Sequence, residues 1–204
     1  MFSANALVWF FVIGALVHNA EEALYLPAWS RRLAAEHGCG LRADEKRRLP
    51  AWSRRFGPLR RPVPPAPFRF AVAVLSLLLV AAAAAATLQG PLSLGAYLFS
   101  GYVFAMVANV FVPHLAATIA LRRYMSGTAT ALALNLPLGV LHLRRALSRG
   151  LVRPAAFVVA AAAATLVLVA SIPALLAIGR RIWRSGEAPR YSPESSQGKM
   201  PLSR

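Results

Sequence analysis

Five long apolar segments constrain the fold of this chain more than any other feature. They cover residues 5–26, 70–88, 94–121, 128–143 and 155–178, and none of them contains a lysine or an arginine. A helix on the surface of a soluble protein would carry a polar stripe along one face, which these segments lack. Hydrophobic residues make up 57% of the chain and charged residues 15%. The sequence therefore predicts an all-α, polytopic membrane protein, with about five transmembrane helices bundled within residues 1–182.

The fourth segment is the weakest candidate for a span. It is shorter than the about 20 residues that cross a bilayer, and Asn135 and Pro137 interrupt it. It can cross the membrane or form a re-entrant hairpin, in which broken helix is tolerated inside protein. The second and fifth segments are rich in alanine, which predicts close packing of their backbones against other helices.

The positive charges between the segments predict the topology, because lysine and arginine near helix ends stay in the cytosol. The connection 28–69 contains 11 of them, Arg122 and Arg123 follow the third segment, residues 144–153 contain 4, and the tail from Arg180 contains 6. With five spans and the N-terminus outside, only the group of 4 is external. We therefore expect the basic loop 27–69 and the C-terminus in the cytosol.

The formal net charge of +16 comes from these loops and tails. Because the basic residues flank apolar spans, the predicted partners are the lipid bilayer and its anionic headgroups. The sequence has no basic domain interleaved with aromatic residues, so nucleic acid is not predicted as a partner. The single cysteine, Cys39, excludes an intrachain disulfide and a thiolate metal cluster. The tail 183–204 is rich in Ser, Pro, Gly and charge, so we predict that it is a disordered basic tail.

A seven-residue block occurs twice in the basic loop: Leu-Pro-Ala-Trp-Ser-Arg-Arg fills positions 26–32 and again 49–55. One interpretation is a duplicated membrane-surface hook, with tryptophan at headgroup depth and arginine pairs on anionic lipid. The other is a local duplication that only lengthened the loop.

Acidic residues inside the first apolar segment are the main functional signal. His18, Glu21 and Glu22 project into one sector of a helix, and His114 lies at a matching depth in the third segment, with Asn109 nearby. Because no basic residue lies inside any segment, the two carboxylates need another source of positive charge. The candidates are a divalent metal, protons held on the carboxylates, or arginines such as Arg31 or Arg122 reaching from the rim.

A set of imidazoles and carboxylates suits Zn, Fe or Mn. We predict that His18, Glu21, Glu22 and His114 hold one divalent ion, that Glu21 or Glu22 serves catalysis, and that Asn109 supports them. Such a site fits a metal-dependent enzyme acting on a lipophilic substrate. A proton- or ion-conducting carrier or channel, and a structural membrane scaffold, are the alternatives. His142 and His37 are interpreted as incidental, and Asn135 as part of the broken helix.

The same residues carry a family resemblance. His-Asn-Ala-Glu-Glu at 18–22, Leu26-Pro27 with Trp29, the lone His114, and Arg-Tyr-Met-Ser-Gly at 123–127 resemble the bacterial HXXEE-motif membrane proteins. The resemblance extends from the N-terminus to about Leu143 and implies an integral protein of the bacterial plasma membrane. It adds Tyr124 and Gly127 to the site, with Tyr124 near the cytosolic mouth. Ser126 stands where the family has proline, although Gly127 still offers a positive-φ residue at the entry to the fourth segment.

Overall fold

The computed structural model describes residues 4–36, 43–48 and 62–185, and the regular elements in these ranges are all helical. This confirms the all-α prediction. Cys39, His37, the second copy of the repeated block and the tail beyond Ser185 lie outside the described residues. The elements in chain order are α1 (Ala4–Glu36), α2 (Ala43–Arg48), α3 (Pro65–Gln89), α4 (Leu94–Asn109), a π-helical segment (Val110–Leu115), α5 (Ala116–Leu121), α6 (Thr128–Thr130), a second π-helical segment (Ala131–Asn135), α7 (Leu136–Ser148) and α8 (Pro154–Ser185).

Four helical stretches are long and apolar enough to cross a membrane: Asn5–Ala35, Pro65–Gln89, Leu94–Leu121 and Pro154–Trp183. They correspond to the first, second, third and fifth predicted segments. α3, α4 and α8 pack against one another, and α1 packs against α3. The bundle of membrane-length helices predicted from the sequence is therefore present.

The first helix continues past the predicted boundary at Leu26 because the structure compensates for Pro27. Proline has no N–H, so the carbonyl of Ala23 loses its partner within the helix. The Nε of Arg69 donates a hydrogen bond to that carbonyl at 3.3 Å. The helix consequently extends to Glu36, and the first part of the predicted loop 27–69 is helical.

The fourth predicted segment runs along the whole bundle. At one end, the Thr128 hydroxyl is 3.0 Å from the Thr118 hydroxyl near the end of α5. At the other end, Ala146 packs in one apolar cluster with Ala96 near the start of α4. The fourth segment and its continuation therefore run alongside α4 and α5, although this stretch is not one of the four that are long and apolar enough to cross a membrane. Its helix continues to Ser148 rather than ending at Leu143.

Small residues allow the helices to approach closely, as the alanine-rich segments predict. A Cβ atom added to Gly101 of α4 would lie 2.8 Å from the backbone oxygen of Ala160 in α8. The main core lies between α1, α3 and α4, where Phe11 and Phe99 meet edge to face. These contacts fix α1 beside α4, which brings His18 and His114 to the same level.

Candidate metal centre

Three predicted residues meet inside the bundle. The Nε2 atom of His114 lies 3.2 Å from Oε1 of Glu22, and the Nε2 atom of His18 lies 3.7 Å from Oε2 of the same carboxylate. The two imidazole rings pack edge to face with centroids 4.9 Å apart. One ligand atom from each of the three residues lies within 4.8 Å of the others, a spacing that can accommodate a metal ion.

The two histidines are fully buried, whereas the Glu22 side chain is 16% exposed. Neither Nε2 atom makes a hydrogen bond with the described residues, and the Nδ1 atom of His114 is also buried without one. Buried polar atoms normally have partners, and unpaired ones are costly. The three nitrogens are therefore polar atoms for which a bound ion or water would be a suitable partner.

A π-helical segment positions His114. Between α4 and α5 the helix is kinked within Val110–Leu115, where Val112 has the non-helical angles φ −138° and ψ 107°. Pro113 cannot donate to the ladder, which explains why a regular helix is interrupted here. The distortion directs His114 inward, where it is fully buried.

Glu21 lies next to the cluster and is held by three donors. The Tyr124 hydroxyl donates to Oε1 at 3.0 Å, the backbone N–H of Gly127 donates to the same oxygen at 3.1 Å, and the Thr130 hydroxyl donates to Oε2 at 2.7 Å. Partial desolvation of the phenol and, to a lesser extent, the neighbouring Glu21 carboxylate raise the pKa of Tyr124 above its ordinary value. The phenol therefore remains protonated and able to donate.

Thr130 links Glu21 to His18 and defines which nitrogen of His18 carries the proton. The Nδ1 atom of His18 is 3.0 Å from the Thr130 hydroxyl oxygen. Because an ionised carboxylate only accepts, Thr130 donates to Glu21 and must accept from His18, so Nδ1 bears the hydrogen. The Nε2 atom of His18 then presents a lone pair toward Glu22. Metal-ligating histidines are oriented in the same way, by a hydrogen bond on the nitrogen that does not bind the metal.

Gly127 closes the site from the loop between α5 and α6. Its φ is +90°, so it supplies the positive-φ residue expected from the sequence. A Cβ atom at this position would lie 2.8 Å from Cε1 of His114, 3.0 Å from Cγ of Glu22 and 3.1 Å from Cε1 of His18. Glycine is therefore required for two reasons, the backbone conformation and the close approach to the cluster.

Trp29 ties this loop to α1. Its indole N–H donates to the backbone carbonyl of Tyr124 at 2.9 Å, and its ring packs against a buried apolar cluster that includes Met125. In the same block, the Ser30 hydroxyl donates to the Pro27 carbonyl and accepts from the N–H of Val63, each at 2.9 Å. The first copy of the repeat therefore holds the site loop and the start of α3.

The remaining predicted residues have different surroundings. Asn109 ends α4 just before the π-helical segment and makes no hydrogen bond with His18, Glu22 or His114. The rim arginines Arg31 and Arg122 have exposed side chains. His142 lies near the opposite end of the bundle, where its Nε2 is 3.3 Å from the Ser100 hydroxyl.

One polar residue at the site, Thr130, was not predicted there. The role of Thr130 depends on the turn at Gly127, which no local pattern specifies. Asn135 was interpreted only as part of a broken helix, yet it is buried with both side-chain polar atoms unpaired. The feature of the sequence that could have indicated this buried amide is the occurrence of a polar residue within an apolar segment.

A model of the family described as "Protein of unknown function with HXXEE motif" matches residues 9–142, which include every residue of this cluster. The chain belongs to the HXXEE family. It is also 27% identical over 173 residues to the uncharacterized protein YrkK of Bacillus subtilis (strain 168), an alignment that covers 85% of this chain and 95% of that protein. No solved structure matches the chain. The histidine and the second glutamate of the HXXEE motif are thus the two α1 residues of the cluster.

Proposed function

We propose that this HXXEE protein binds one divalent metal ion through His18, Glu22 and His114 and uses it for chemistry on a lipophilic substrate. The observation that carries the proposal is the direction of the two hydrogen bonds at Thr130, which accepts from His18 and donates to Glu21. It leaves the Nε2 lone pair of His18 facing the Glu22 carboxylate at 3.7 Å, inside a bundle and without a proton donor between them. Two electron-rich groups in that position repel each other unless a cation lies between them.

The donor set fits this ion. Two neutral imidazoles and one carboxylate are the ligands of catalytic Zn sites and of the facial triad that holds Fe(II), and three protein ligands leave positions open for substrate or water. When bound, such an ion would polarise a substrate oxygen or lower the pKa of a water molecule.

The chain's own residues then have separate roles. His18, Glu22 and His114 bind, Thr130 holds the tautomer of His18, and Glu21 accepts from Thr130. Because three donors already surround Glu21, we assign it the role of orienting Thr130 and, through it, His18. We also propose that Glu21 and the Tyr124 phenol lie beside the reacting group of the substrate. The Tyr124 side chain is 53% exposed, so the phenol can reach a substrate that approaches from outside the cluster.

The surroundings support an amphiphilic substrate. Glu22 is the partly exposed ligand, and Tyr25, three residues after it, and Phe111, three residues before His114, expose 61% and 46% of their surfaces. A substrate with an apolar chain can lie along these side chains while its polar group reaches Glu22. In the orientation that we propose, with the N-terminus outside and the protein in the bacterial plasma membrane, this opening lies toward the cytosolic side and its anionic headgroups.

Metal analysis of the purified full-length chain tests the proposal. The wild type should retain about one equivalent of a divalent metal through size-exclusion chromatography, and the double variant His18→Ala, Glu22→Ala should retain little. His142→Ala is the matched control because it also removes a buried histidine, but from the other end of the bundle. Equal, negligible metal in all three proteins would overturn the proposal and leave the carrier and scaffold alternatives.

A further inference from the structure

A cavity with four polar lining residues lies at the opposite end of the bundle from the candidate metal centre. Its volume is about 80 Å³, and its polar lining consists of Asn5, Ser100, His142 and Arg145. Ser100 and His114 are on the same helical run, 14 residues apart, which places the two sites about 20 Å from each other along the bundle. The cavity therefore cannot share a ligand with the metal centre.

The polar lining is built into the fold. Ser100 is 2% exposed and His142 is 6% exposed, and Phe99 packs edge to face on the imidazole with centroids 4.9 Å apart. A hydrogen bond joins Ser100 and His142 at 3.3 Å. If the Ser100 hydroxyl donates to Nε2 of His142, the neutral imidazole carries its hydrogen on Nδ1, which can donate to a ligand. If Nε2 of His142 donates to Ser100 instead, the serine hydroxyl hydrogen can donate to a ligand. Either arrangement leaves the pair one further donor.

The charge of the lining is positive. Arg145 contributes a guanidinium group, Asn5 contributes an amide, and the described lining residues include no Asp or Glu. α1 and α4 also begin at this end of the bundle, with the positive ends of their helix dipoles. Arginine with neutral donors suits a phosphate or carboxylate group.

The remaining lining is apolar, and the cavity is too small for a whole lipid, since sites that enclose entire small ligands have volumes above about 300 Å³. Leu88, Leu92 and Leu94 are exposed beside the turn between α3 and α4 that forms one wall. An oxyanion could occupy the cavity while an attached alkyl chain lies on these leucines.

From these features we infer that the cavity formed by Asn5, Ser100, His142 and Arg145 binds the phosphate group of an anionic amphiphile at the membrane surface opposite the metal centre. This site requires neither the metal nor its ligands.

Native mass spectrometry of the full-length chain in a neutral detergent tests the inference, with dodecyl phosphate as the probe. Dodecanol tests the contribution of the alkyl chain alone, and inorganic phosphate tests the anion alone. Arg145→Gln should reduce the bound fraction about tenfold or more, because a charge-assisted contact is lost. Arg144→Gln is the matched control: it removes an equal charge from the adjacent, exposed residue, and binding should change less than about twofold.

Ser100→Ala provides a second variant if Arg145→Gln does not fold, since it removes only a hydroxyl group, and it should also weaken binding. Tighter binding of dodecyl phosphate than of dodecanol or inorganic phosphate supports the inference. If dodecanol binds as tightly as dodecyl phosphate, the site does not recognise the phosphate group. If inorganic phosphate binds as tightly as dodecyl phosphate, the alkyl chain does not contribute, and the inference of an amphiphile is wrong. Equal losses in Arg144→Gln and Arg145→Gln would overturn the location.

Discussion

The Thr130 hydroxyl oxygen lies 3.0 Å from Nδ1 of His18, and this contact joins α6 to the middle of α1. The same hydroxyl donates to Glu21 at 2.7 Å. The contact therefore gives the two adjacent glutamates of one motif different surroundings. Glu22 faces the histidine nitrogens, while Glu21 accepts from Thr130, whose hydroxyl contacts His18.

Thr130→Val should weaken metal binding while keeping the shape of the side chain. Loss of the hydroxyl releases the Nδ1 hydrogen of His18 and removes the preference for an unprotonated Nε2. Removing such a hydrogen-bond partner typically lowers metal affinity about 10- to 100-fold. Competition for Zn²⁺ with a chromophoric chelator in detergent measures the change, and Thr130→Ser should restore most of the affinity.

Thr165→Val is the control for that substitution, because the Thr165 hydroxyl bonds only the backbone carbonyl of Ala161 on α8. It should leave Zn²⁺ affinity unchanged. If Thr130→Val binds Zn²⁺ as tightly as the wild type, the assigned hydrogen-bond order at His18 is wrong.

Gly127→Ala should damage the site by crowding. The added methyl group would lie within 3.1 Å of atoms of His18, Glu22 and His114, on a residue with φ of +90°. We expect a lower midpoint of thermal unfolding together with lost metal retention. Scanning fluorimetry and metal analysis of the same sample measure the two effects.

Gly150→Ala separates crowding from backbone strain. Gly150 also has positive φ, +65°, but an added Cβ would have no neighbour within 4 Å. This variant should lose only the about 1–2 kcal/mol that the left-handed conformation costs an L-residue, and it should keep its metal. Equal metal retention by both variants would contradict the role of Gly127 at the cluster.

Much of the bundle could be predicted from the sequence because apolar length and the absence of charge are local properties. The same reasoning found His18, Glu22 and His114, since polar groups at matching depth in apolar helices have few other partners. The end of α1 was missed because a proline usually ends a helix, and the compensating Arg69 comes from another helix. Such a tertiary contact has no signature near Pro27.

The finer structure of the site depends on a loop. The sequence suggested that Tyr124 and Gly127 belong near the cluster, but it did not show that these two loop residues and Thr130 of α6 all donate to Glu21. The first copy of the repeated block, residues 26–32, also gave no indication that it contacts the site loop, since tryptophan and arginine beside an apolar span equally suit a membrane surface. In the structure, the tryptophan of the first copy bonds the site loop.

Trp29→Phe should loosen the loop that carries Tyr124 and Gly127. Phenylalanine keeps most of the apolar contact but cannot donate to the Tyr124 carbonyl, a loss of about 0.5–1.5 kcal/mol. Amide hydrogen exchange in residues 124–130, measured by mass spectrometry, should become faster. Trp9→Phe, a 39% exposed tryptophan on the same helix, should leave that exchange unchanged. Equal exchange rates in both variants would argue that the hydrogen bond from Trp29 to the Tyr124 carbonyl does not stabilise the loop.

Asn135→Leu should show whether the buried amide contributes to the stability of the fold. Both polar atoms of Asn135 are buried without a hydrogen-bond partner among the described residues, on a side chain that is 1% exposed. Replacing an unpaired buried amide with an apolar group of similar size removes its desolvation cost, so the midpoint of thermal unfolding should stay equal or rise. Leu134→Asn, a partly exposed position next to it, is the reciprocal control and should lower the midpoint. A clear loss of stability in Asn135→Leu would show that the amide has a structural partner, such as a bound water, that contributes to the fold.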